Sequence, residues 1–99
     1  MFKPGVKING IKPEIALGIA TTSFLFQSLN LPLTITSVTE GTHSPTSLHY
    51  VGYAFDVRIM DVPLSANILA DKLREALTDE FDVVVEKDHI HVEFQPKRA

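Results

Sequence analysis

The chain reads as an α+β fold, a small antiparallel sheet packed with two helices. Three observations predict it. Apolar residues recur at helical spacing in two stretches, one opening at Pro13 and one closing at Leu77. Strand-like segments, either rich in β-branched residues or alternating apolar with polar, lie between and after them. The last two such segments are separated only by Lys87 and Asp88, a connection short enough for a hairpin and therefore for antiparallel pairing.

The elements follow in order. Pro13 suits the first turn of a helix, and Ile15, Ile19, Leu25, Phe26 and Leu29 place apolar groups on most sides, as for a core helix ending before Leu31-Pro32. Leu33 to Thr39 follows a proline and is rich in β-branched residues, which predicts a strand. Glu40 to Ser47, with Gly41 and Pro45, predicts a loop that carries His43. From Tyr53 to Ile59 the side chains alternate: Phe55, Val57 and Ile59 share one face and Asp56 takes the other. Leu64, Ile68, Leu69, Leu73, Ala76 and Leu77 predict a second helix lying across the sheet, bounded by Pro63 and by Thr78-Asp79. Phe81 to Glu86 and His89 to Phe94 are the last strands. In the second of them Ile90, Val92 and Phe94 alternate with His89, His91 and Glu93. A slip of one residue in register would bury the charges, so the polar face should open on a cleft shared with Asp56.

Ninety-nine residues predict a single domain spanning 1–99, and 44% hydrophobic residues suffice for one core. No cysteine is present, which excludes disulfides and thiolate zinc sites. Net charge is −3 and the basic residues are dispersed, which argues against a nucleic-acid partner. The start of the chain has no pattern of a secretory signal, and the apolar-rich stretch Ile15 to Leu29 is too polar and short to span a bilayer. The expectation is a soluble monomer made in the cytoplasm, without a membrane span.

All four histidines fall in two segments, Thr42 to Asp56 and Glu86 to Phe94, each with acidic residues. Without thiolates, a metal must be held by imidazole and carboxylate, the ligand set of catalytic zinc, which keeps three protein ligands and one open position. His49 and Asp56 are seven residues apart across Gly52, which lets a loop turn into a strand with both side chains near one point, and His91 would supply the third ligand.

The run Ser47-Leu48-His49-Tyr50-Val51-Gly52-Tyr53-Ala54-Phe55-Asp56 resembles the Ser-x-His-x-x-Gly-x-Ala-x-Asp motif of the zinc D-alanyl-D-alanine peptidases, the family of the VanX and VanY types and several phage endolysins. His89-Ile90-His91-Val92-Glu93-Phe94 resembles that family's last zinc-binding strand. The signature is also similar to the amino-terminal signalling domain of hedgehog proteins, which shares the peptidase fold. The resemblance covers roughly Ile35 to Phe94. It implies a hedgehog/DD-peptidase type of fold, zinc on His49, Asp56 and His91, and Glu86 as catalytic base. Asp88 is the alternative base, and His89 the alternative ligand. With His91 on the metal, His89 is left on the same strand face to hydrogen-bond a developing oxyanion, and His43 is placed with it as a substrate-binding residue.

The sequence departs from the family pattern at one point. Thr36 to Thr42 has no arginine where many of these peptidases carry one to orient substrate, and Arg58 is the only arginine near the motifs. Of the acidic calcium cluster of hedgehog domains only Glu40 is present, so no calcium is expected. The implied function is a zinc metallopeptidase, a hydrolase of peptidoglycan stem peptides, acting as D,D-carboxypeptidase or endopeptidase. Its site of action would then be the periplasm or cell wall. The alternative is a zinc-containing binding module of hedgehog type without catalysis.

Overall fold

The computed structural model describes residues 2–6, 11–38 and 54–94. Within them the order is α1 (Pro13–Ser28), β1 (Ile35–Ser37), β2 (Ala54–Arg58), α2 (Ala66–Leu77), β3 (Phe81–Val85) and β4 (His89–Phe94). The four strands pair antiparallel in the order β1-β2-β4-β3, so the fold is α+β.

Helix α1 begins at Pro13, whose missing N–H costs nothing in the first turn, and the Lys12 carbonyl accepts from the Ile15 and Ala16 amides at 2.9 and 3.1 Å. It closes with a Schellman motif. Asn30 takes φ 57°, its N–H reaches the Gln27 carbonyl at 3.1 Å, and the Leu31 N–H reaches Phe26 at 2.9 Å. Ile15, Gly18, Ile19, Thr22 and Phe26 form one buried stripe. The helix is apolar on most sides, as expected, but it is not buried like a core helix, because Leu17 and Phe24 on the outer face are 69% and 72% exposed. The Thr22 hydroxyl, fully buried, donates to the Gly18 carbonyl at 2.8 Å and so remains satisfied. At Gly18 the helix passes so close to β3 that an added Cβ would lie 3.0 Å from the Phe81 ring.

The helices cover one face of the sheet. Phe55 and Val57 of β2, Val83 of β3, and Ile90 and Val92 of β4 meet Ile15, Ile19 and Phe26 of α1 and Leu69, Leu73 and Leu77 of α2 in one core. The alternation read from the sequence thus settles which face is buried in β2 and β4. Strand β1 is shorter than expected, three residues, and its pairing with β2 is irregular between Ile35 and Ser37; Thr39 lies outside the described residues. Both sheet edges are covered. Phe2 bridges to Ile35 with the Lys3 N–H on its carbonyl at 2.8 Å, and Arg74 of α2 donates to the Val83 carbonyl at 2.7 Å.

Helix α2 starts at Ala66, so Leu64 precedes it rather than forming its first turn, while Ile68 and Ala76 face outward. Only Leu69, Ala70, Leu73 and Leu77 are buried, a narrower stripe than the spacing suggested. The helix ends on Thr78 at φ 75° and ψ 173°, a region that a β-branched residue enters only under strain of about 1–3 kcal/mol. Glycine carries no such cost but orders a freer chain, so Thr78→Gly should stabilise the fold by a net of about 1 kcal/mol. Thermal unfolding should show a midpoint raised by about 4–8 °C; a lowered midpoint would mean that Thr78 is not strained.

The radius of gyration is 12.5 Å, against about 13 Å for a compact chain of 100 residues, as fits a monomer. Among the described residues no helix is long and apolar enough to cross a membrane.

Candidate metal centre

Antiparallel pairing of β2 with β4 brings Arg58 opposite His89, Asp56 opposite His91 and Ala54 opposite Glu93. Side chains alternate along a strand, so these six positions share the face that the helices leave open. On β3 the same face carries Val84, opposite His91, and Asp82, opposite Glu93.

The geometry is a chain of alternating carboxylates and imidazoles. His91 donates from Nδ1 to Asp56 Oδ1 at 2.9 Å and from Nε2 to Glu93 Oε1 at 2.9 Å. The other oxygen of Asp56 lies 3.7 Å from His89 Nε2, and His89 Nδ1 is 2.7 Å from Asp88 Oδ1. Each imidazole therefore has one nitrogen held by a carboxylate of its own, Glu93 or Asp88, and the other turned to Asp56. Asp56 is only 8% exposed, and its charge has these two rings to offset its desolvation.

The hydrogen bond to Asp56, reinforced by that to Glu93 and opposed by burial, raises the pKa of His91 from 6.5 to about 9. The hydrogen bond from His89 holds the Asp88 carboxyl below its ordinary value. In the metal-free protein His91 is thus an imidazolium at neutral pH. Stability gained from it is fully present below pH 6.5 and lost as pH rises through about 9. Imidazole resonances of the metal-free protein, followed by NMR from about pH 5 to well above 9, should show His91 titrating near 9, and the urea midpoint should fall over the upper part of that range. A His91 titration near 6.5 would mean that the bond to Asp56 does not persist in solution.

The donor set suits zinc in chemistry. A metal-bound histidine usually gives its second ring N–H to a carboxylate, and Glu93 takes that place for His91, leaving Nδ1 toward Asp56. Two zinc ligands at a tetrahedral angle lie roughly 3.3 Å apart. The 2.9 Å between Asp56 Oδ1 and His91 Nδ1 is close to that spacing, so the two side chains could be ligands of one ion once the proton between them is lost. Among the described residues, however, no group of three or more histidine, aspartate or glutamate side chains could by itself hold a metal ion. His49, the expected third ligand, and His43 lie outside the described residues.

Of the other expected residues, His89 stands beside the Asp56–His91 pair. Glu86 follows β3 immediately, its N–H on the His89 carbonyl at 2.8 Å, and its side chain is exposed. Asp88, the alternative base, is bound to His89 rather than directed at Asp56 and His91. Glu93, read from the sequence as a residue behind the ligands or at the surface, holds His91 Nε2 from two positions further along the same strand face. Comparison of the chain with protein-family models gives no match, and comparison with curated proteins gives none.

Proposed function

We propose that the chain is a zinc-dependent peptidase acting on peptidoglycan stem peptides. The observation that supports this best is the Asp56–His91 pair, with Glu93 on the far ring nitrogen, at the two positions that the peptidase-like motifs mark as ligands. His49, Asp56 and His91 would hold the metal. Zinc, when bound, supplies Lewis-acid polarisation of a carbonyl and lowers the pKa of water toward about 7.

The protein groups divide the remaining work. Glu86 takes the proton of the attacking water and passes it to the leaving amine. His89, its ring held at Nδ1 by Asp88, stands on the same face to hydrogen-bond the carbonyl oxygen as negative charge builds there. His43 assists in substrate binding. The proposed partner is a peptide substrate, met at the cell wall.

One observation favours the rival reading, a zinc-bearing binding module. Among the described residues, Glu86 makes no side-chain contact with the Asp56–His91 pair that would aim it as a base. Mass spectrometry of peptidoglycan fragments incubated with zinc-loaded protein, with and without chelator, separates the two. A peptidase releases a terminal alanine or splits the fragments internally, and stops on chelation; a module leaves them intact.

A further inference from the structure

On the helix-covered side of the sheet, a pocket of about 450 Å³ opens between the start of α1, the end of α2 and the paired Phe81 and Phe94 of β3 and β4. The candidate metal centre faces the other way. The volume falls within the range of about 300–1,000 Å³ of small-molecule sites. Leu17, Leu77, Phe81 and Phe94 are its apolar walls. The two rings stand 5.3 Å apart between centroids and are tilted by 60°, so they make a corner rather than a flat stack. The charged part of the lining has one sign. Glu14 and Glu80 bring two carboxylates, Thr21 and Thr78 bring hydroxyls, and among the described residues no lysine, arginine or histidine lines the pocket. Both glutamates are exposed, and among the described residues neither carboxylate has a hydrogen bond or ion pair. The Thr78 hydroxyl accepts from the Glu80 N–H at 3.4 Å, which ties the acidic residue to the pocket rim.

We propose that this pocket binds a small organic cation, an ammonium group on an apolar body, with the body against Leu17, Leu77 and the two rings and the ammonium toward Glu14 and Glu80. Three features of the lining select that class. Aromatic faces carry negative charge density and attract a cation, so the corner of Phe81 and Phe94 favours the same ligand as the carboxylates do. An anion would meet two like charges, and a neutral ligand would leave both unanswered. A bare divalent ion is disfavoured as well, because calcium takes about six to eight oxygen ligands and this wall is largely apolar. Gly18 helps to shape the space, since a larger residue there would press on the Phe81 ring. Leu17, 69% exposed on its helix, gains a partner when the pocket is filled. The assignment stands apart from the peptidase reading and from any metal.

The test titrates 2-phenylethylamine into the full chain at neutral pH and low salt, with 2-phenylethanol and phenylacetate as its neutral and anionic counterparts. Binding is followed by NMR on the ring resonances of Phe81 and Phe94 and the methyls of Leu17. The amine should bind about tenfold more tightly than the alcohol, and phenylacetate should bind most weakly. Glu14→Gln and Glu80→Gln, both at exposed positions, should each reduce the preference for the amine roughly threefold, and the double substitution should remove it. Equal affinity for amine and alcohol, tighter binding of phenylacetate, or no binding of the amine at millimolar concentration overturns the assignment. So does a preference that survives the double substitution. Shifts of the Phe81 and Phe94 resonances with protein concentration alone, with no amine present, would assign the pocket to a second copy of the chain and overturn it too.

Discussion

Asp56→Asn should abolish zinc binding and activity together while leaving the backbone in place. The amide is almost the same shape, so the core beneath β2, built on Phe55 and Val57, has no reason to shift. What changes is charge. The substituted side chain would offer zinc a neutral amide oxygen in place of a carboxylate, and one of the three proposed ligands would be gone. Loss of a ligand carboxylate should cost more than the roughly 10- to 100-fold typical of changes behind the ligands. The same substitution removes the largest cause of the raised His91 pKa, which should fall from about 9 toward its ordinary 6.5. Zinc titration by calorimetry and an imidazole NMR titration check both halves. Undiminished zinc affinity in the variant would mean that the metal, if bound, is held elsewhere.

The second large effect is expected at Glu86. Glu86→Gln keeps the volume and the hairpin hydrogen bond from its own N–H to the His89 carbonyl, so fold and zinc affinity should stay as they are. Turnover should fall by about 10²–10⁴-fold, the usual contribution of a general base, with KM little changed. Asp88→Asn should behave differently. It weakens the hold on His89 Nδ1, so a smaller loss of rate is expected. If Glu86→Gln stays active while Asp88→Asn is dead, the roles of the two carboxylates are reversed.

Both substitutions fall on residues legible in the sequence, and the reason is the period of a strand. In β4 the alternation of Ile90, Val92 and Phe94 with His89, His91 and Glu93 matches the pleat, and its bounds are those expected. In β2 the same logic put Asp56 on the far side from Phe55 and Val57, and the ladder then sets it opposite His91. Periodicity was less informative for α1, where Leu17 and Phe24 look like core residues until the sheet is seen to cover only one side. It was also misleading for Leu64, which precedes the start of α2 at Ala66, and for Ile68, which lies on the exposed face of α2.

The finer wiring of the candidate site was not legible. That Glu93 turns onto His91 Nε2, although its strand face was legible, and that Asp88 orients His89, depend on rotamers and on the turn, which no sequence period encodes. Arg58 is a further case. In sequence it is merely an arginine near a motif, and only the pairing of β2 with β4 places it against His89 and a pocket.

In the proposed function, the proton between His91 and Asp56 holds the place of a metal ion. Because that proton must leave, zinc affinity should rise with pH up to about 9. The decisive experiment is the imidazole ¹⁵N spectrum of the metal-free protein titrated with zinc at neutral pH. At one equivalent, Nδ1 of His91 should lose its proton and shift while Nε2 stays protonated against Glu93, and one further imidazole, that of His49, should shift in step. A spectrum in which His91 keeps both protons through several equivalents of zinc would rule out metal binding at this pair.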